Sequence, residues 1–131
     1  MVIDSSALTA ILLGEAEAIS FAKIILAEPV RLMSAANALE TEIVAMRKLG
    51  QDIGTVVRVL VDSLAIAIVP VTADQYRIAA QAYRSYGKGF HPAALNYGDL
   101  FAYALAKTTG EKLLFKGNDF SLTDIGRVTT A

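Results

Sequence analysis

Short apolar segments alternate with longer helix-forming segments along the whole chain. The short segments predict buried strands at residues 1–3, 30–33, 65–71, 112–115 and 127–130. The longer segments are bounded by capping residues, glycine and proline, and they predict helices at residues 7–13, 15–28, 35–49, 51–64, 73–86 and 96–109. Buried strands that alternate with helices are typical of a parallel sheet covered on both faces. The pattern therefore predicts an α/β fold in which a short parallel sheet is flanked by helices.

Polar residues mark the predicted starts of several helices. Ser5 and Ser6 are placed to cap the first helix, Ser34 the third and Asn96 the last. The last helix, residues 96–109, is apolar almost all round, and a helix with that pattern is buried. Any charged side chain in its first turn is therefore expected to lie in or beside the core.

Acidic residues from distant parts of the chain fall at one predicted edge of the sheet. Asp4 ends the first strand, and Glu40 lies in the first turns of the helix after the second. Asp119 follows the fourth strand, and Asp99 begins the helix that leads into that strand. Ligands of open α/β sheets bind beyond the carboxyl ends of the strands. We therefore expect these four carboxylates to meet at one rim.

Each acid also has a structural explanation of its own. Asp99 could cap its helix, and Asp4 and Asp119 could occupy turns. Glu40 could form a salt bridge with Arg47 or Lys48. Four carboxylates packed together repel each other, however, and a hard divalent cation such as Mg²⁺ or Mn²⁺ relieves that repulsion. Metal ions held in this way can support phosphodiester hydrolysis. The sequence thus favours a metal-dependent nuclease site.

The composition limits the remaining possibilities. The length of 131 residues predicts one domain, residues 1–131, and the chain is 54% hydrophobic with only 19% charged residues. We expect part of this apolar excess to form a surface for another copy or a second protein, the alternative being a monomer with a large apolar core. The net charge of −1 predicts no broad basic surface for nucleic acid.

Cysteine and histidine chemistry is largely excluded. The chain has no cysteine and a single histidine, His91, so neither a disulfide framework nor a multi-histidine metal site is expected. The apolar run at residues 7–13 is too short to cross a bilayer, and no secretion signal is recognisable. These features predict a cytoplasmic protein without a membrane partner.

Several motifs resemble those of PIN domains, and in order and spacing they are similar to the VapC-type toxins of bacterial toxin–antitoxin pairs. They cover essentially the whole chain, at residues 1–8, 34–40, 96–106 and 113–125. The resemblance implies a three-layer α/β/α PIN-like domain. It also implies a Mg²⁺- or Mn²⁺-dependent endoribonuclease with an acidic quartet.

The resemblance assigns roles to individual residues. Asp4 and Asp99 would be the principal metal ligands, while Glu40 and Asp119 would complete the shell directly or through water. Ser6 matches a small polar position that supports the first aspartate, and Asn118 matches a polar position beside the last acid.

RNA must approach this acidic rim, so nearby cations are candidates for binding phosphate. Lys116 is the cation assigned to the substrate site, together with the polar residues Ser6 and Asn118, and further candidates for binding phosphate are Arg47, Lys48, Arg84 and Lys88. Tyr97 or Phe90 could stack on an unpaired base, although core packing is the favoured explanation for both.

The resemblance further implies a homodimer and a cognate antitoxin protein whose tail blocks the acidic site, often with an arginine. The first helix pair, residues 7–28, and the second, residues 35–64, have apolar sides to spare. Both pairs are therefore candidates for the antitoxin groove.

Two other functions remain as alternatives. A receiver-like binding module also gathers carboxylates around Mg²⁺, but it requires paired acids near its start and an aspartate after the third strand. This chain has only Asp4 at the first position and Pro70-Val71-Thr72 at the second. A DNA-directed nuclease would use the same acids, and only the resemblance favours RNA.

Overall fold

The computed structural model describes residues 1–130, and a four-stranded sheet lies at its centre. The strands are β1 (Val2–Ile3), β2 (Leu32–Ser34), β3 (Ala67–Val69) and β4 (Leu113–Leu114). Their order across the sheet is β3-β2-β1-β4, and all neighbours pair in parallel. The strand order reverses direction at β1. The carboxyl ends of β1 and β4 therefore form the crevice in which this type of sheet binds ligands.

Helices cover both faces of the sheet. They are α1 (Ser5–Leu12), α2 (Ala18–Ala27), α3 (Ala35–Leu49), α4 (Gly54–Ser63), α5 (Ala73–Tyr86) and α6 (Tyr97–Thr109), with a 3₁₀ turn at Gln51–Ile53 before α4. Successive strand residues point to opposite faces. Ile3 and Leu114 accordingly join a core with residues of α1 to α4, whereas Val2 and Leu113 join a second core with residues of α5 and α6.

These layers confirm the predicted three-layer α/β/α class. The helix starts follow from local capping chemistry: the Ser34 hydroxyl accepts a hydrogen bond from the backbone N–H of Ala36, and the Thr72 hydroxyl accepts one from Gln75. The predicted bounds of the third and fifth helices, 35–49 and 73–86, match α3 and α5. Among the helices of residues 1–130, none is long and apolar enough to span a membrane.

Several boundaries differ from the predictions, including that of the second helix, which starts at Ala18 and not at Glu15. The first helix starts at Ser5, because Asp4, and not Ser5 or Ser6, is its N-cap residue. The predicted closing strand at 127–130 is wrong; Arg127 makes only an isolated bridge to Leu113. The predicted strands are also too long, since pairing in the sheet involves only two or three residues of each. Beside β1 and β4 the apolar run extends past the paired residues because Met1 and Phe115 are buried too, whereas Val30 and Val71 beside β2 and β3 are exposed.

Candidate active site

Asp4 leaves the end of β1 and is almost fully buried, with 3% of its surface exposed. Its Oδ2 accepts a hydrogen bond from the backbone N–H of Ser6 at 3.0 Å, which caps α1. The Ser6 hydroxyl in turn accepts a hydrogen bond from the backbone N–H of Lys116 at 3.0 Å, just beyond β4. The other carboxylate oxygen, Oδ1, is buried and has no partner within the described chain. Asp4 is therefore held rigidly at the end of β1, where the strand order reverses, and its Oδ1 has no hydrogen-bond donor within the described chain.

Glu40 lies in the second turn of α3 and is held by neutral donors. Its Oε1 accepts hydrogen bonds from the Ser5 hydroxyl at 2.5 Å and from Asn37 Nδ2 at 3.1 Å. Asn37 Nδ2 also donates to the carbonyl oxygen of Gly98 at 2.9 Å, which connects α3 to the start of α6. A salt bridge with a basic residue of its own helix was one explanation for Glu40, but among residues 1–130 it forms none.

Asp99 lies in the first turn of α6, with 7% of its surface exposed. It forms a capping box with Asn96: Asp99 Oδ2 accepts from the Asn96 backbone N–H at 2.9 Å, and Asn96 Oδ1 accepts from the Asp99 N–H at 3.0 Å. The predicted capping role of Asp99 is therefore confirmed. The same bonds fix its carboxylate at the rim of the sheet.

The charges of the other three acids all act on Asp99. Burial, together with the charges of Asp4, Asp119 and Glu40, raises the pKa of Asp99 to about 7, although the hydrogen bond from the Asn96 backbone N–H acts to lower it. Burial also raises the pKa of Asp4 to about 6, with a contribution from the charge of Glu40. Asp119 lies exposed in the turn after β4. Asp4, Glu40 and Asp119 thus lie near enough to Asp99 for their charges to act on its carboxylate.

The donor set suits a hard divalent cation. As the side chains stand, no three acidic or histidine residues in the described part of the chain are close enough together to hold a metal ion. The carboxylates nevertheless offer only oxygen donors, Asp4 Oδ1 is buried without a partner, and burial and mutual repulsion raise the pKa values of Asp4 and Asp99. A Mg²⁺ or Mn²⁺ ion would relieve each of these costs. The residues present therefore fit such an ion.

The predicted substrate residues have different surroundings. Lys116 Nζ pairs with Glu15 and with Glu17, at 3.2 Å to the latter, and hydrogen bonds from the lysine to both glutamates raise its pKa. These glutamates compete with phosphate for the lysine. Asn118 is exposed in the turn beside Asp119. The substrate roles of Lys116, Asn118 and Ser6 remain predictions.

Tyr97 and Phe90 do not pack into the core, although core packing was the favoured explanation for both. Tyr97 is 78% exposed and Phe90 is 70% exposed, so the prediction that both pack into the core is wrong. Tyr97 stands edge-on to Phe101, with ring centroids 4.9 Å apart, in the turn of α6 that carries Asp99. His91 serves its own loop, because its Nδ1 accepts a hydrogen bond from the backbone N–H of Ala93 at 3.0 Å.

Three residues near the acids were not identified from the sequence as part of the site. They are Ser5, Asn37 and Gly98, and each lies against Glu40. Asn37 precedes Glu40 by three residues, so the two lie on the same face of a helix, and that spacing could have suggested the pair. The contacts of Ser5 and Gly98 with Glu40 cross between helices, and no local signal predicts them.

The comparison with family models agrees with this geometry. The PIN domain model matches residues 1–126. The chain therefore belongs to the PIN domain family.

Its relatives within that family include VapC ribonucleases. It is 49% identical to Ribonuclease VapC of Mycolicibacterium smegmatis over 128 residues, which cover 98% of this chain and 99% of the relative. It is 48% identical to Ribonuclease VapC30 of Mycobacterium tuberculosis over 128 residues, which cover 98% of each chain.

Two solved structures share the fold. VapC20 of Mycobacterium tuberculosis, described as a toxin that cleaves the sarcin–ricin loop, superposes with a TM-score of 0.78 at 18% identity over 97% of each chain. A chain of a toxin–antitoxin complex from Klebsiella pneumoniae superposes with a TM-score of 0.71 at 18% identity, over 99% of this chain and 97% of that one.

Proposed function

We propose that this chain is a metal-dependent endoribonuclease and the toxin of a toxin–antitoxin pair. The observation that carries the proposal is that Asp4, Glu40 and Asp119, from separate elements, all act electrostatically on Asp99. Asp4 and Asp99 are buried, and their pKa values are raised. The names of the VapC relatives support RNA as the substrate. A toxin of this kind acts in the cytoplasm, where its RNA is found.

The four acids would hold the metal. Asp4 and Asp99 are the principal ligands in this proposal, and Glu40 and Asp119 complete the shell directly or through water. A bound Mg²⁺ or Mn²⁺ supplies activation of a water molecule and neutralisation of charge on the phosphate that is cleaved.

The protein contributes rigid positioning. Ser6 N–H fixes Asp4, the capping box with Asn96 fixes Asp99, and Ser5 with Asn37 fixes Glu40. Side chains held in this way lose little freedom when they bind their ligand, and such preorganisation favours catalysis.

Polar groups around the rim would bind the substrate. In this proposal the Ser6 hydroxyl hydrogen donates to a phosphate oxygen, while the hydroxyl oxygen keeps its bond from Lys116 N–H. Asn118 lies beside Asp119 and can hydrogen-bond to a sugar or phosphate. Lys116 becomes available to phosphate when its pairs with Glu15 and Glu17 open.

RNA cleavage by the purified chain tests this proposal. With a single-stranded RNA oligonucleotide and Mn²⁺ or Mg²⁺, we expect cleavage that EDTA reduces to background and that excess metal restores. A matched DNA oligonucleotide is expected to remain intact, although the carboxylates themselves do not distinguish the two. Undiminished cleavage in EDTA would contradict metal dependence, and equal cleavage of DNA would favour the DNA-directed alternative.

The same proposal includes a homodimer and an antitoxin. Apolar side chains are exposed on the second helix pair, including Leu39 and Val59, and a cavity of about 430 Å³ lies between α3 and α4. Exposed apolar side chains around a cleft are typical of a surface for a protein partner. We therefore place the antitoxin on α3 and α4 in preference to the first helix pair.

Charge substitution on the two helix pairs tests this placement. Leu39→Lys is expected to weaken the complex with the antitoxin, sought in the neighbouring reading frame, at least about tenfold, because a buried apolar contact is lost. Leu26→Lys on α2 is the matched control, since both leucines are about half exposed. Calorimetry measures the affinity of each variant for the antitoxin. If only Leu26→Lys weakened binding, the antitoxin would lie on the first helix pair.

A further inference from the structure

The two oxygens of Glu40 have different surroundings. Oε1 accepts two hydrogen bonds, from the Ser5 hydroxyl and from Asn37 Nδ2. A carboxylate oxygen offers two lone-pair sites, so these bonds saturate Oε1. Oε2 accepts no hydrogen bond from residues 1–130, and it is not among the oxygens that are closed off from solvent. Only one oxygen of Glu40 therefore remains open to a ligand.

Asn37 is the centre of this arrangement. It is fully buried, and its Nδ2 donates both to Glu40 Oε1 and to the Gly98 carbonyl oxygen. Because both partners are acceptors, the orientation of the amide is settled by its hydrogen bonds. The Asn37 amide thus connects Glu40 to the residue that precedes Asp99.

The arrangement is not the one that stability alone would select. Asn37 Oδ1 is buried and has no partner within the described chain. A buried acceptor without a partner is unfavourable, whereas an apolar side chain of similar size would leave no such group. The asparagine is therefore explained by what its amide nitrogen holds.

Gly98 provides the space on the other side of Glu40. A Cβ atom at this position would overlap the Glu40 carboxylate, with Oε2 as its nearest neighbour. The φ angle of Gly98 is not positive, so its backbone conformation does not require glycine. The missing side chain is needed for the position of Glu40.

We propose that Asn37, acting with Ser5 and Gly98, is a positioning residue that occupies Glu40 Oε1 and leaves Oε2 as the one Glu40 oxygen open to a divalent cation. This proposal rests on the proposed function, because it assigns Glu40 to the metal shell. Ser5, Asn37 and Gly98 come from α1, α3 and α6, so the position of the Glu40 carboxylate depends on the packing of these three helices.

Mn²⁺ binding measured by calorimetry tests the role of Asn37 without relying on RNA cleavage. Asn37→Leu has nearly the same size and lacks the donor, and it is expected to raise the Kd for Mn²⁺ about tenfold or more. Ser5→Ala is the second variant and is expected to act in the same direction. In a Glu40→Gln background, Asn37→Leu is expected to change the Kd by less than about twofold, because the carboxylate that it positions is gone.

Two outcomes would overturn the role of Asn37. A Kd for Mn²⁺ that stays within about twofold in both Asn37→Leu and Ser5→Ala would show that Glu40 does not need these donors. If Asn37→Leu weakened Mn²⁺ binding by the same factor with Glu40 and in the Glu40→Gln background, Asn37 would act only through the fold. Thermal unfolding of the metal-free variants shows whether Asn37→Leu is misfolded. If it is, the Kd of Ser5→Ala for Mn²⁺ decides whether Glu40 needs these donors.

Gly98→Ala separates this proposal from the proposed function. In the metal-free protein it is expected to lower Tm because its Cβ meets the Glu40 carboxylate, and in a Glu40→Ala background most of that loss is expected to disappear. An equal loss of Tm in both backgrounds would overturn the placement of Glu40. If the unmodified chain bound no Mn²⁺ at all, the proposed function would fail, while this unfolding comparison would still decide how Glu40 is held.

Discussion

Asp99→Asn is expected to lower the rate of RNA cleavage at least about 100-fold while the fold remains intact. Asparagine has the same shape as aspartate, and its side-chain oxygen can still accept the hydrogen bond from the Asn96 backbone N–H. What it lacks is the negative charge by which Asp99 would bind the cation. Measurement of kcat/KM on an RNA oligonucleotide at saturating Mn²⁺ tests this expectation.

The stability of the same variant separates a functional carboxylate from a structural one. Burial and the neighbouring acids raise the pKa of Asp99 to about 7, so its ionised form is unfavourable in the metal-free protein. Asp99→Asn is therefore expected to raise Tm at pH 8 in EDTA. A variant that lost activity because it unfolded would show a lower Tm instead, and unchanged cleavage would remove Asp99 from the metal site.

Asp124 provides the matched control outside the quartet. It accepts hydrogen bonds from the Tyr103 hydroxyl and from Lys107 Nζ, both at 2.6 Å, and these bonds lower its pKa against the effect of burial. Asp124→Asn is expected to lower Tm and to leave cleavage unchanged. Opposite effects of one substitution at two aspartates would show that the loss at Asp99 is specific.

Local chemistry explains why much of the fold was predictable. Asn96 caps α6 through a side-chain bond over three residues, and the nearly all-apolar pattern of that helix requires burial. The acids could be placed at one edge because parallel strands that alternate with helices share a direction. The Asp99 motif therefore predicted both the cap and the position of its carboxylate at the rim.

The contacts that hold Glu40 could not be predicted in the same way. Ser5 and Glu40 are separated by 35 residues, and Asn37 and Gly98 by 61 residues. These contacts depend on how closely α1, α3 and α6 approach each other, which no local pattern determines. The pairing of Lys116 with Glu15 follows from the loop between α1 and α2, which sequence reasoning placed inside a helix.

The metal-free chain is expected to be less stable at pH 8 than at pH 5.5. The ordinary pKa of an aspartate is 3.8, whereas in the folded chain Asp4 has a pKa of about 6 and Asp99 about 7. The folded state therefore binds more protons than the unfolded state between pH 4 and 7, and stability falls as pH rises through this window. Between pH 5.5 and pH 8 we expect a loss of roughly 3 kcal/mol in the free energy of unfolding, or about 10 °C in Tm.

Added Mn²⁺ is expected to reverse this trend, because a cation replaces the protons that otherwise relieve the repulsion. Thermal unfolding in EDTA and in Mn²⁺ at both pH values measures the effect, and the rise in Tm on metal addition should be larger at pH 8, where protons compete less. Asp4→Asn combined with Asp99→Asn should reduce both the pH dependence of Tm and the rise in Tm that Mn²⁺ causes.

Other groups with shifted pKa values do not produce a loss of stability between pH 4 and 7. Glu17 and Asp124 have lowered pKa values, and Lys107 and Lys116 have raised ones. A pH dependence that persisted in the double variant would therefore exclude the buried pair as its source, and with it the reason to expect a cation between them.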